Sequence, residues 1–167
     1  MKHEAHTERL RHVLSALCTT TFRAIPLELY VFGSYARGAP NPGDLDLWLV
    51  YDNPPTYKAE YREHVAKHGV FESRRRGGIH AEYHGEFNRA FKKRGKDITY
   101  DLRGEQLESI RNHTDEILSY SDFVLLWSKD DQDWEPKLQS IKINPDEGRA
   151  YRNHFFDLRG YLKIGIA

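Results

Sequence analysis

The chain has 167 residues, a length that suits one domain, and 39% of them are apolar, about 46% once the 12 glycines are counted, which excludes disorder as the dominant state. Lys plus Arg (25) equals Asp plus Glu (25), so no global field draws the protein to nucleic acid or anionic lipid, and any polyanion site has to be local. A single cysteine, Cys18, excludes an intramolecular disulfide and a cysteine-clipped zinc ion and suits a reducing cytoplasm. The apolar run Phe123 to Trp127 is far short of the roughly 20 residues that span a bilayer, and Met1 to Ala16 carry His, Glu and Arg instead of an apolar signal core. The expectation is a soluble, unprocessed cytoplasmic protein without a membrane partner.

In chain order, residues 4 to 23 place Leu10, Val13, Leu14, Leu17 and Phe22 at helical spacing, with Cys18 on the apolar side, and Pro26 closes the helix. Leu27 to Phe32 reads as a strand ended by Gly33-Ser34, with a short helical turn at Tyr35 to Arg37. Gly38, Pro40, Pro42 and Gly43 make a loop before Asp44 to Tyr51, whose apolar content on both parities predicts a central strand covered on both faces. Helices are predicted at Thr56 to His68 and Ala81 to Arg94, a strand at Ile98 to Leu102, a helix at Glu105 to Ser119 and a last strand at Asp122 to Ser128. Residues 129 to 145 read as a polar connection to a C-terminal helix over Asp146 to Lys163. The order predicts an α/β (α+β) domain with a small mixed sheet and flanking helices. A doubly wound nucleotide fold is disfavoured, since no G-x-G-x-x-G follows the first strand and no crossover helix joins the first two.

The chemistry concentrates in Val31 to Val50, V-F-G-S-Y-A-R-G-A-P-N-P-G-D-L-D-L-W-L-V. Side chains two apart on a strand share a face, so Asp44 and Asp46 are expected to project together and hold divalent cations. Their mutual repulsion points to a neutralising ion, and Mg²⁺ is a hard ion suited to carboxylate and phosphate oxygens. Gly33 allows close backbone approach to a triphosphate, and Ser34 offers hydroxyl and amide donors. A third carboxylate would complete a two-metal site. Asp97, Thr99 and Asp101 share one face of the later strand, so parity leaves Asp97 and Asp101 as candidates; Asp101 is favoured because it reads as lying well inside the strand. The three carboxylates are then expected to converge within metal-bridging reach.

These residues resemble a family. G-S-x(9)-D-x-D followed by a strand Asp resembles the DNA polymerase beta superfamily of nucleotidyltransferases, and the A-R-G after Ser34 resembles its minimal nucleotidyltransferase branch. The likeness runs from about Leu27 to Trp127, where D-L-R-G-E-Q-L-E-S-I at 101 to 110 and V-L-L-W at 124 to 127 resemble the third Asp, helix and final strand, a second argument for Asp101. The resemblance implies a nucleotidyltransferase domain over 1–128 with an insertion at about 54–96, and a connection and C-terminal helix over 129–167 packed on the same domain. It implies transfer of a nucleoside monophosphate, AMP favoured, from an NTP to a hydroxyl, with Asp44, Asp46 and Asp101 as catalytic metal ligands for two Mg²⁺ ions. Gly33, Ser34 and Arg37 would bind the nucleotide, although Arg37 is equally well read as a structural arginine. The acceptor would be a toxin-like partner protein, a tRNA or a small molecule such as an aminoglycoside. The alternatives are an antitoxin of this branch that acts by binding its partner, and a nucleotide-sensing regulatory domain. The C-terminal helix would either complete the cleft or pair with a second copy.

Other features carry less. Arg74, Arg75, Arg76 and Lys92, Lys93, Arg94 read first as solvated charge and second as a lining for the acceptor cleft. His64 with His68 and His80 with His84 stand at i, i+4 spacing but lack metal-site context, so they read as surface histidines. Arg149 to His154 matches the R-x(4)-H of HEPN ribonucleases, but the tail is too short for that four-helix bundle.

Overall fold

Helix α1 (His3–Thr19) buries Leu10, Val13, Leu14 and Leu17 along one stripe, as the 3–4 spacing predicts. The computed structural model describes residues 2–74, 78–92, 100–107 and 122–147. The helix ends four residues earlier than expected, because Thr19, Thr20 and Thr21 are three β-branched residues in a row and Thr20 is already extended. Phe22 therefore leaves the helix and packs its ring 4.8 Å from that of Phe87. Cys18, expected on the apolar side, is exposed in the last turn of α1.

Strands β1 (Ile25–Phe32), β2 (Leu45–Asp52), β3 (Tyr100–Gln106) and β4 (Val124–Ser128) form one sheet in the order β3-β2-β1-β4. Strand β1 runs antiparallel to β2 and to β4, while β2 and β3 are parallel. This is the mixed sheet with flanking helices that the sequence predicts, and β2 is an interior strand. Parallel neighbours need a crossover connection. Helices α2 (Tyr57–Arg74) and α3 (Gly78–Phe91) lie in the chain between β2 and β3, so the stretch expected as an insertion contains that crossover. Helix α3 places Ile79, Tyr83, Phe87 and Phe91 in the main core.

Alternation along β2 divides the molecule. Leu45, Leu47, Leu49 and Tyr51 pack with α1, α3, Leu29, Val31 and Leu102 in the main core. Asp46, Trp48 and Val50 take the other parity, where Trp48 and Val50 join Tyr30 in a second cluster bordered by Phe32, Phe123 and Leu125. Each fully buried Leu of the main core contributes about 2 kcal/mol through its apolar area.

Several boundaries differ from expectation. The helix read as 56–68 continues to Arg74 across a kink at Gly69, whose φ of +86° no L side chain adopts without strain. Strand β3 runs to Gln106, so Glu105 and Gln106 are strand and do not open a helix; pairing with β2 continues to Tyr51↔Gln106 and overrides the weak strand propensity of R-G-E-Q. The rest of that predicted helix, 108–119, lies outside the described residues. A short helix, α4 (Glu135–Gln139), sits in the stretch read as a connection, with Pro136 in its first turn and Leu138 buried. Proline is favoured there because its missing N–H is not needed. Most of the predicted C-terminal helix, 148–163, lies outside the described residues, as do Arg149 and His154.

Of the four paired histidines His68 is exposed as expected, while His64, His80 and His84 are partly buried. His80 Nδ1 lies 3.0 Å from the Tyr51 hydroxyl, His84 Nε2 lies 3.0 Å from the Leu102 carbonyl, and His64 lies 2.6 Å from Ser73 Oγ. His80 and His84 tie α3 to β2 and β3, whereas the His64 contact with Ser73 lies within α2 and spans its kink. Burial pushes the pKa of His80 down, which favours its neutral form.

Candidate active site

At the end of β1 the chain turns sharply. Gly33 has φ +82°, and a Cβ there would stand 2.4 Å from Asp46 Oδ2. Only glycine lets this carboxylate lie against the backbone. The turn is closed by Arg37 N–H donating to the Gly33 carbonyl (3.2 Å) and Ala39 N–H donating to the Ser34 carbonyl (3.0 Å), which agrees with the helical turn expected at 35–37.

The β1–β2 register sets Phe32 opposite Asp46, and the β2–β3 register sets Asp46 opposite Asp101. The mouth of β1 and the starts of β2 and β3 therefore meet at one place. Asp46 is half-buried and its pKa is pushed up to about 6, first by burial, then by the charges of Asp101 and Asp44 and, more weakly, of Asp122; Arg103 acts the other way. Asp101 occupies the second position of β3 and is exposed, at the strand's mouth instead of well inside it. Asp44 precedes β2 in a bend and is exposed. Asp97 lies outside the described residues.

Among the described residues no three His, Cys, Asp or Glu side chains are already gathered at metal-holding distance. The fold brings Asp46 and Asp101 into register and puts Asp44 within electrostatic reach, but stops short of the joint convergence expected from the D-x-D. Asp44 lies outside the β2–β3 ladder and faces solvent. The donor set still fits a hard divalent cation: it is all carboxylate oxygen, and the ionisation of one member is opposed by two others.

Among the described residues Arg37 is held by two acids. Its Nη1 donates to Asp122 Oδ2 at 2.5 Å and its Nε donates to Glu147 Oε1 at 2.7 Å. The same Asp122 Oδ2 accepts the Gly33 N–H at 3.1 Å. Behind the loop, α1 holds its other side: the His3 ring stacks on Tyr35 (centroids 4.4 Å apart) with Nδ1 3.1 Å from the Ala39 carbonyl, and His6 Nε2 lies 3.1 Å from the Gly43 carbonyl. Sequence reasoning assigned no role to Asp122, Glu147, Arg103, His3 or His6. Asp122 was visible only as the polar residue opening the last strand, and nothing local marks the others.

A separate cavity of about 280 Å³ between α2 and α3 is lined by Glu60, His64 and Glu82 among others. Two of its acids are already engaged, since Arg23 bonds Glu60 at 3.1 Å and Glu82 at 3.3 Å. The strand mouths remain the better site.

The profile of the nucleotidyltransferase domain matches residues 11–124, about two thirds of the chain. The chain belongs to the nucleotidyltransferase domain family. The matched span takes in the turn, the D-x-D strand, Asp101 and Asp122, so this site lies within the nucleotidyltransferase domain itself. No curated protein matches the chain. A solved structure from Sulfolobus solfataricus, whose own description as a nucleotidyltransferase is provisional, is similar over 77% of this chain and 85% of that one, at 15% identity and a TM-score of 0.38. Among the described residues no helix is long and apolar enough to cross a membrane.

Proposed function

We propose that the protein transfers a nucleoside monophosphate, AMP favoured, from an NTP to a hydroxyl of an acceptor and releases pyrophosphate. The observation that supports this most is the approach of Asp46 Oδ2 to Gly33, with Asp101 in register beside it: a carboxylate pair set against the backbone turn suited to a triphosphate. Asp44, Asp46 and Asp101 are the residues that would hold two Mg²⁺ ions. When bound, these supply charge neutralisation for the triphosphate and the departing pyrophosphate.

The chain's own groups do the rest. Gly33 and Ser34 orient the β and γ phosphates, Arg37 contributes positive charge to them, and Asp101, exposed at the mouth of β3, accepts the proton of the acceptor hydroxyl. That oxygen forms a bond to the α phosphorus as the bridge to the β phosphate breaks. No covalent enzyme intermediate is required. By resemblance to the minimal nucleotidyltransferases, the acceptor is a toxin-like partner protein, a tRNA or a small molecule. Charged groups of the 54–96 stretch, Arg74 and Lys92 among the described ones, are assigned to acceptor contact.

The test is transfer of label from α-labelled ATP to candidate acceptors with pyrophosphate release, in wild type, Asp46→Asn and Asp101→Asn. Both variants are expected to lose at least about a hundredfold in rate while keeping their far-UV spectra. Wild-type rates in Asp46→Asn would overturn the reading.

A further inference from the structure

The donors that the proposed function reserves for a phosphate are already engaged by an acid of the same chain. Asp122 Oδ2 takes the Gly33 N–H at 3.1 Å and Arg37 Nη1 at 2.5 Å, and Glu147 takes Arg37 Nε at 2.7 Å. These are enclosed contacts: the Arg37, Asp122 and Glu147 side chains are 19, 20 and 11% exposed. A peptide group has one N–H, so a phosphate oxygen and Asp122 Oδ2 exclude each other at Gly33. Asp46 stands beside the same turn, where a Cβ on Gly33 would come within 2.4 Å of its Oδ2.

We infer that Asp122 is an internal stand-in for phosphate, and that nucleotide binding exchanges its carboxylate for a phosphate oxygen on Gly33 and Arg37. This rests on the reading of Gly33 and Arg37 as phosphate-binding groups. Two effects act together. The carboxylate competes directly for the donors, and its charge adds to that of Asp46, Asp44 and Asp101, which opposes an entering polyanion. Glu147 holds the same guanidinium at Nε, so among the described residues the exchange at Arg37 works against a second acid besides Asp122. Asp122 and Glu147 thereby set affinity for the triphosphate without touching the reacting atoms. In the empty protein the same contacts keep the turn ordered and its N–H satisfied.

The probe is inorganic tripolyphosphate, titrated calorimetrically into wild type, Asp122→Asn and Glu147→Gln. Removing one charge-assisted competitor is expected to tighten tripolyphosphate binding about tenfold in Asp122→Asn and less in Glu147→Gln. A wild-type measurement guards against a variant that fails to fold: the Gly33 amide and the Asp122 carboxylate carbon resonances should both move as tripolyphosphate is added. Unchanged or weaker binding in both variants, or a Gly33 amide that stays put while the anion binds, overturns the inference, as does wild type and Asp122→Asn both failing to bind. Turnover of α-labelled ATP is scored separately. Tighter tripolyphosphate binding with no transfer in any protein removes the nucleotidyl-transfer reading and leaves the exchange standing; transfer by wild type with no change in anion affinity does the reverse.

Discussion

The two faces of β2 obey opposite requirements. On one, Leu45, Leu47, Leu49 and Tyr51 meet α1 and α3 with almost no exposure, and every contact favours folding. On the other, Asp46 sits among like charges, and burial itself opposes its ionisation. Beyond Asp46 that face continues into the buried Trp48 and Val50, so the charge is confined to the mouth of the strand. The acidic mouth is tolerable because apolar packing on both faces holds the rest of the strand in place.

Breaking the apolar face should have the largest effect on stability. Phe87 is fully buried against Phe22 (4.8 Å) and Tyr51 (5.6 Å), so Phe87→Ala is expected to cost about 3–5 kcal/mol in urea unfolding. A loss below about 1 kcal/mol would show that α3 is not core.

Gly33→Ala tests where the two faces meet the turn. The added methyl would fall 2.4 Å from Asp46 Oδ2 at a φ of +82°, so about 1–2 kcal/mol of stability and at least about a hundredfold in transfer rate should be lost. Retained activity would mean that the turn relaxes without consequence.

Asp46→Asn should reverse the sign. The folded pKa of Asp46, about 6, lies above its ordinary 3.8, so the folded state holds a proton that the unfolded chain releases. Stability from this group is therefore lost as pH rises from about 3.8 to 6, and the cost is full above that. Without Mg²⁺ at pH 7.5 the variant should melt about 2–4 °C higher, for about 1 kcal/mol after allowance for solvent screening. Near pH 3.5 the difference should vanish. A variant less stable than wild type at pH 7.5 would mean that the carboxylate is not strained. Mg²⁺ with NTP should narrow the gap by stabilising wild type more.

Cys18→Ser gives the smallest effect, within about 0.5 kcal/mol by thermal melting, because the thiol is exposed at the end of α1. A larger loss would return Cys18 to the core where its spacing first put it.

What local pattern encodes was legible in the sequence. The stripe of α1, the interior character of β2 and the G-S-x(9)-D-x-D all depend on residues a few positions apart, and helix or strand periodicity acts over that range. Even the break in α2 was visible, since the expected end at His68 falls one residue before the kink at Gly69. Tertiary structure alone decided the pairings between distant segments. The register of Asp46 with Asp101 depends on a crossover of two helices, Asp122 reaches Gly33 across 89 positions, and Glu147 reaches Arg37 across 110. Such contacts leave no period in the chain, because each is set by the packing of elements that carry their own local signals and only meet once the sheet has formed.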